Sequence, residues 1–137
     1  MPETATPLAR KLGLREGDDL VLVGAPAGWT VAGLSGVRVR RRRPLQPVEV
    51  VVAFFRRLAD LERDVSDLVR LITADGSLWV AWPRRARGHR SDITDNDVRA
   101  VALPMGLVDV KVAALDDDWS GLKLVWRKER RASLPQG

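Results

Sequence analysis

The chain has 137 residues, and its 23 basic side chains outnumber 18 acidic ones for a net charge of +5, which favours anionic partners. It has no cysteine, which excludes disulfides, thiol catalysis and thiolate metal sites and favours a reducing compartment. No apolar run approaches the roughly 18 residues that span a bilayer and the first residues have no signal-peptide pattern, so we expect a cytoplasmic protein with no membrane partner.

The first half of the chain predicts short strands separated by turns. A short helix should open the domain and stop at Gly13, because glycine favours a helix C-terminus. Continuous apolar runs at 20–23 and 48–55 are typical of strands that are buried on both faces. Between these runs, residues 29–34 suffice for one or two helical turns, and the alternation at 37–40 predicts an edge strand.

The second half predicts two helices and three strands. Apolar residues recur at helical spacing over 58–72, and a buried strand at 77–83 stops at a proline. A capping box predicts a helix from Thr94 up to Gly106. Residues 108–112 and 122–124 read as half-exposed strands, and because their connection is too short for a crossover helix we expect an antiparallel hairpin.

These elements define a fold class. Strands separated by helices require a mostly parallel sheet with right-handed crossovers and with helices covering both faces. The sequence therefore predicts an α/β, three-layer, Rossmann-like sheet of order 2-1-3-4-6-5 with strand 6 antiparallel. It occupies a single domain at 4–131, with tails at 1–3 and 132–137.

The predicted order resembles a shortened class I S-adenosylmethionine-dependent methyltransferase. Residues 74–80 (ADGSLWV) are similar to the helix-to-strand corner of those enzymes, and residues 105–110 (MGLVDV) to the entry into their terminal hairpin. A closer resemblance covers nearly the whole chain. The strings VGAP at 23–26, LWVAWP at 78–83 and WSGLKLVW at 119–126 resemble a bacterial family of small proteins classed as a domain of unknown function, which implies a methyltransferase-like fold and no particular activity.

In open α/β sheets, ligands bind beyond the carboxyl ends of the strands where the winding reverses, here near the loops after strands 1 and 3. The loop at 24–28 spaces its glycines as Gly-x-x-x-Gly, so a tight structural turn is the alternative to a small-molecule or anion site. The arginine-rich loop after strand 4 lies on the same rim, and guanidinium groups suit phosphates. The candidate ligand-binding residues are Gly24, Ala25, Gly28, Trp29, Arg84, Arg85, Arg87 and Arg90.

Two features depart from the methyltransferase pattern. The second strand of those enzymes usually ends in an acidic residue that accepts hydrogen bonds from ribose, whereas this strand runs into Arg40–Arg43, and a guanidinium cannot accept. Their Asp/Asn-Pro-Pro-aromatic loop is replaced by Phe55-Arg56-Arg57. We therefore expect no S-adenosylmethionine cofactor. The block at 40–43 either binds polyanions or protects an edge strand from unwanted pairing.

No catalytic residue and no metal site is predicted. His89 is the single histidine and sits among glycine and arginine, as a solvated loop residue does. Residues 116–118 are consecutive aspartates, which suits a solvated turn better than a calcium loop. Trp29 and Trp119 could each be a stacking surface or an anchor that pins a loop. The aspartates interpreted as helix-start residues are Asp92, Asp95 and Asp97.

Three functions from different classes fit these observations. The preferred one is a non-catalytic domain that binds a small molecule, a nucleotide or a protein, and it rests on fold analogy. The alternatives are a basic nucleic-acid-binding protein and a methyltransferase with unusual cofactor contacts. The predicted partner is an anionic small molecule or nucleotide, with nucleic acid as the alternative. The sequence leaves the oligomeric state open.

Overall fold

The computed structural model describes residues 7–31, 36–85, 88 and 91–133. The predicted tail at 1–3 and residues 134–137 of the second tail lie outside these ranges. The strands are β1 (Asp19–Val23), β2 (Arg38–Arg40), β3 (Val48–Phe54), β4 (Ile72–Pro83), β5 (Leu107–Ala114) and β6 (Trp119–Trp126). The helices are α1 (Leu8–Leu12), α2 (Leu58–Leu68), α3 (Asp95–Ala102) and α4 (Lys128–Arg131), with 3-10 turns at Val69–Leu71 and Leu103–Met105.

The six strands form one sheet in the order β2-β1-β3-β4-β6-β5. Strands β2, β1, β3 and β4 are parallel, and β6 runs antiparallel to both of its neighbours. This confirms the predicted α/β fold class and strand order. No helix within the described part of the chain is long and apolar enough to cross a membrane.

The core lies on both faces of the sheet. Helices α2 and α3 cover one face, while α1 and the connection between β1 and β2 cover the other. Trp79 and Trp82 on β4 fall in different apolar clusters, as expected for two strand residues an odd number of positions apart. The second outer layer is therefore built from a five-residue helix and irregular chain.

The prediction of helical turns at 29–34 is wrong for residues 29–31, which are irregular. Residues 32–35 lie outside the described part of the chain. Trp29 and Val31 are both buried, whereas Thr30 between them is exposed. A repeat of two residues is typical of extended chain and not of a helix. The connection from β1 to β2 thus covers the sheet as an extended segment.

Strand β4 begins earlier than predicted, at Ile72. Its pairing with β3 shifts between Val48 and Val50, which face Ile72 and Ser77, so β4 bulges at its start. A Cβ on Gly76 would lie 2.8 Å from the carbonyl oxygen of Glu49, and only glycine lets the two strands approach this closely.

Candidate functional site

The candidate site lies at the carboxyl edge, which we define as the edge of the sheet where β1, β3 and β4 end. The chain leaves β1 towards β2 on one side, and β3 lies on the other side of β1, so the winding reverses between β1 and β3. Ligands of open α/β sheets bind at such a point. The loops that meet there start at Gly24, Phe55 and Arg84.

Three aromatic side chains occupy the carboxyl edge on the α1 face of the sheet. The ring of Phe54 packs edge-on against Trp29, with centroids 4.8 Å apart, and edge-on against Trp119, with centroids 5.0 Å apart. Their exposed fractions are 8% for Trp29, 6% for Phe54 and 5% for Trp119. We call these three residues the aromatic plug. Side chains of this size fill space that a ligand would otherwise enter.

A hydrogen bond ties the plug to the turn between β5 and β6. The indole Nε1 of Trp29 donates to Oδ2 of Asp116 over 2.9 Å. The other carboxylate oxygen of Asp116 accepts from the backbone N–H groups of Asp118 and Trp119, each over 2.8 Å. Arg41 donates to the carbonyl oxygen of Trp29. The two tryptophans therefore act as loop anchors, and the alternative of an exposed stacking surface is wrong for both.

Trp29→Phe is expected to lower the free energy of unfolding by about 1–3 kcal/mol, because it removes a hydrogen bond to a charged acceptor. Denaturant unfolding measures this. Asp116→Asn replaces one of the two accepting oxygens by an amide NH2, which cannot accept, so it should also lower the stability. If Trp29→Phe changes the stability by no more than roughly 0.5 kcal/mol, as a surface substitution does, the hydrogen bond does not hold the loop.

The loop after β1 forms a tight turn. Gly24 and Gly28 have φ of 70° and 77°, in the region that favours glycine. The N–H of Trp29 donates to the carbonyl of Pro26 over 3.0 Å, which closes the turn. Ala25 packs on the α1-face cluster. The four loop residues of the predicted site are thus together beside the plug, and their backbone conformations are those of a turn.

Arginines follow the two neighbouring strands β3 and β4. Arg56 and Arg57 come after β3, and Arg84 and Arg85 come after β4. Ser91 connects the two loops: its hydroxyl donates to the carbonyl of Arg56 over 3.5 Å, and its carbonyl accepts from Nη2 of Arg85 over 3.4 Å. We call Arg56, Arg57, Arg84 and Arg85 the arginine rim.

The rim guanidinium groups have no acidic partner among the described residues. Arg56 lies over the ring of Trp119, 5.1 Å from its centroid. Arg84 donates to the carbonyl oxygens of Asp116 and Asp117 over 3.2 and 3.5 Å. No ion pair within the described ranges joins a rim arginine to a carboxylate. The rim therefore concentrates positive charge that the described residues leave unpaired.

Sequence reasoning placed Arg84 and Arg85 in the site but did not include Arg56 and Arg57. The signal was present, since both follow a buried strand whose carboxyl end meets the same edge. The remaining candidates, Arg87 and Arg90, and the neighbouring His89 lie outside the described residues.

Aspartates cap the helices that begin near this edge. The N–H of Leu58 donates to Asp92 over 2.8 Å, so Asp92 lies at the start of α2, which precedes it in the chain, and not at the start of α3. Thr94 and Asp97 form the predicted capping box of α3. Because carboxylates already lie at these helix starts, the positive charge available to an anion comes from the arginine side chains.

The arginines at 40–43 start at the last residue of β2, whose three residues are all exposed at the edge of the sheet. With Val39, Pro44 and Leu45 they line a cavity of about 550 Å³. Arg43 lies 3.8 Å from Asp67 near the end of α2, so this segment descends along the flank of the sheet. Both interpretations of the block, polyanion binding and edge protection, fit this position.

Arg40→Gln combined with Arg42→Gln is expected to raise self-association, because it removes two charges that protect an exposed edge strand. Sedimentation velocity over a range of concentrations measures this. An unchanged monomer fraction would leave edge protection without support and favour the polyanion interpretation.

Groups with shifted pKa values lie outside the arginine rim. A hydrogen bond from Arg99 holds the pKa of Asp95 and of Asp109 below the usual range. Burial, and then the nearby charge of Lys111, lower the pKa of Lys123. Among the described residues no group of three or more metal-ligating side chains comes together. The described part of the carboxyl edge therefore offers several cationic side chains.

A family model described as "Protein of unknown function (DUF3052)" matches residues 32–128. The chain belongs to this family. The match covers β2 through β6 and includes the arginine rim. No curated protein matches this DUF3052 chain in sequence.

Solved structures match the DUF3052 fold over most of its length. A SAM-dependent methyltransferase from Aquifex aeolicus is 13% identical with a TM-score of 0.57, covering 85% of this chain and 86% of that one. Aeropyrum pernix fibrillarin with natively bound S-adenosyl-L-methionine is 15% identical with a TM-score of 0.59, covering 86% and 73%. A TehB-like SAM-dependent methyltransferase from Corynebacterium glutamicum is 11% identical with a TM-score of 0.56, covering 88% and 87%. At this identity the likeness shows a methyltransferase-like fold.

Proposed function

We propose that this DUF3052 domain is a non-catalytic binding module whose arginine rim takes a phosphate-bearing small molecule or nucleotide. The observation that carries the proposal is the set of four guanidinium groups without carboxylate partners among the described residues, at the edge where such sheets bind ligands. Planar guanidinium groups bind phosphate oxygens in pairs and stay charged at any physiological pH.

Two contacts support an ordered arginine rim. Stacking on Trp119 holds the plane of Arg56 while the edge of its guanidinium group, which carries the N–H donors, stays available. Ser91 holds the loops of Arg56 and Arg85 together through its hydroxyl and its carbonyl. A site of this kind has less side-chain entropy to lose when an anion binds.

The same edge argues against catalysis with S-adenosylmethionine. The aromatic plug fills the α1 side of the edge, and the residues after β2 are donors where ribose hydroxyls need acceptors. S-adenosylmethionine carries sulfonium and ammonium cations against a single carboxylate, so its net charge is positive and is disfavoured beside four arginines without carboxylate partners among the described residues. We therefore infer that this domain does not bind S-adenosylmethionine, although its fold resembles that of the methyltransferases.

Nucleic acid is the second candidate ligand, and one contact favours it. Arg41 donates to the carbonyl of Trp29, so the arginines that follow β2 start beside the plug and continue the charge of the rim along the flank. A charged strip of this kind suits a phosphate backbone. The experiment below separates the two candidates by which arginines matter.

Arg57→Gln combined with Arg85→Gln is expected to weaken pyrophosphate binding by at least about tenfold at low salt, because each lost charge-assisted contact contributes about 1.5–3 kcal/mol. Isothermal titration calorimetry measures the affinity. Neither side chain contacts the plug, so folding should be preserved. The matched control, Arg15→Gln with Arg63→Gln, removes the same charge elsewhere and should change the affinity less than about twofold, as screened distant charges do.

Equal losses in both double variants would mean that net charge alone attracts the anion, and the rim proposal would be wrong. The arm for nucleic acid uses a single-stranded 12-mer RNA with Arg40→Gln and Arg42→Gln. If this variant loses RNA binding while the rim variant keeps it, the domain is a nucleic-acid-binding protein whose site lies after β2.

A further inference from the structure

A second cavity lies at the opposite, amino edge of the sheet. It has a volume of about 400 Å³ and lies between the end of α2, the 3-10 turn after α3 and α4. Trp126, the last residue of the antiparallel strand β6, and Ile72, the first residue of β4, both line it. The arginine rim is at the other end of these strands, so the two places are independent.

The wall of this cavity contains a buried donor with no acceptor. Trp126 is 4% exposed, and its indole Nε1 has no hydrogen-bond partner within the described part of the chain. An unpartnered buried polar group costs about 1–3 kcal/mol. By contrast Trp79, which is fully buried in the sheet interior, donates to the carbonyl of Leu12 over 3.4 Å. The missing acceptor at Trp126 therefore points to a group that the described residues do not supply.

Two arginines line the same cavity as Trp126. Arg130 of α4 lies 5.9 Å from the centroid of the Trp126 ring, and Arg70 lines the same cavity from the 3-10 turn after α2. Neither has a carboxylate partner among the described residues. Two contacts fix α4 here: the N–H of Arg127 donates to Gly106 over 2.9 Å, and Nε of Arg131 donates to the carbonyl of Trp126 over 3.2 Å.

Apart from Ser66, the remaining walls are apolar. Val69, Ile72 and Met105 contribute to the lining, and all three pack on the α2-face core. An apolar pocket of a few hundred cubic ångströms with a few convergent polar groups is the usual form of a small-molecule site.

We infer that this cavity binds a small organic anion, with a carboxylate or phosphate group attached to a compact apolar body. The oxyanion accepts from the indole N–H of Trp126 and pairs with Arg70 and Arg130, and the apolar body packs on Met105 and its neighbours. Both parts of the ligand are needed, since the two arginines alone would also attract inorganic anions and the apolar wall alone would also take neutral molecules.

The test is an NMR titration that follows the indole N–H resonances of the five tryptophans. Benzoate and phenyl phosphate are the probes, and benzyl alcohol is the uncharged control of similar shape. The Trp126 resonance, assigned by its loss in Trp126→Phe, should move downfield and saturate with both anions and stay in place with benzyl alcohol. The other four indole resonances report whether each variant remains folded.

Affinity for the anions should fall at least about tenfold, or 1.4 kcal/mol, in Arg70→Gln and in Arg130→Gln, and less in Arg63→Gln, which lies on α2 away from the cavity. Trp126→Phe keeps the ring and should weaken binding too. The inference is overturned if millimolar benzoate and phenyl phosphate give no saturable shift, if benzyl alcohol gives the same shift, or if Trp126→Phe binds as the unmodified protein does. The rim variant Arg57→Gln with Arg85→Gln should leave this titration unchanged, which keeps the two proposals separate.

Discussion

Trp119→Ala is expected to lower the free energy of unfolding by about 3–5 kcal/mol, the cost of removing a large buried aromatic side chain. Trp119 is 5% exposed, begins β6 and packs edge-on against Phe54. Its removal leaves a cavity between the sheet and the loop after β1, and the neighbours cannot close it because Trp29 is tied to Asp116. The loss should therefore lie near the upper end of this range.

Denaturant unfolding followed by far-UV circular dichroism measures this change. Trp119→Phe keeps an aromatic ring that can still contact Phe54, so it should cost less than half as much. A loss below about 1 kcal/mol in Trp119→Ala would place the variant among ordinary surface substitutions and would contradict the plug as a structural element.

The second large effect is a preference for pyrophosphate over S-adenosylmethionine. The aromatic plug occupies one side of the carboxyl edge. The end of β2 carries arginine donors, where the ribose hydroxyls would need an acceptor. The rim arginines repel the two cationic groups of S-adenosylmethionine and attract pyrophosphate. We expect a difference in affinity of at least about a hundredfold at low salt, equivalent to about 2.8 kcal/mol.

Trp119→Ala tests which feature excludes the cofactor. The substitution opens the plug, and it leaves the arginines at 40–43 in place. If the lack of acceptors is sufficient, Trp119→Ala will still show no heat with S-adenosylmethionine. Binding in this variant alone would assign the exclusion to the plug.

The strand order could be predicted from sequence because it follows from a few strong signals. Continuous apolar runs mark β1, β3 and β4 as strands buried on both faces, and the helical spacing over α2 requires a crossover between β3 and β4. The short turn at 116–118 requires the hairpin of β5 and β6. Each of these signals is local, and together they leave few topologies.

The observed elements differ from the predicted ones at three places, and each difference depends on a contact between segments that are distant in the chain. The loop at 29–31 is extended because the indole N–H of Trp29 donates to Asp116, which lies 87 positions further along the chain. Asp92 precedes a helix in sequence but caps α2, 34 positions before it. Strand β4 starts early because Gly76 permits close approach to Glu49. Neither the hydrophobic periodicity of a segment nor its capping pattern indicates contacts of this kind.

The candidate site was predicted in part for the same reason. The rule for open sheets located the edge, and two of the rim arginines follow from it. Arg56 and Arg57 join them only when β3 and β4 are known to be neighbours and Ser91 to bridge their loops. The unpartnered N–H of Trp126 could not be predicted, because the sequence does not show whether a buried tryptophan has a hydrogen-bond acceptor.

The most direct test of the central claim is calorimetric titration of the same protein, at low ionic strength, with pyrophosphate and with S-adenosylmethionine. The account predicts saturable heat with pyrophosphate that weakens as salt is added, and no saturable heat with S-adenosylmethionine at micromolar concentration. Saturable binding of S-adenosylmethionine at that concentration, with no binding of pyrophosphate, would contradict the proposed anion site. It would favour the alternative that the domain is a methyltransferase.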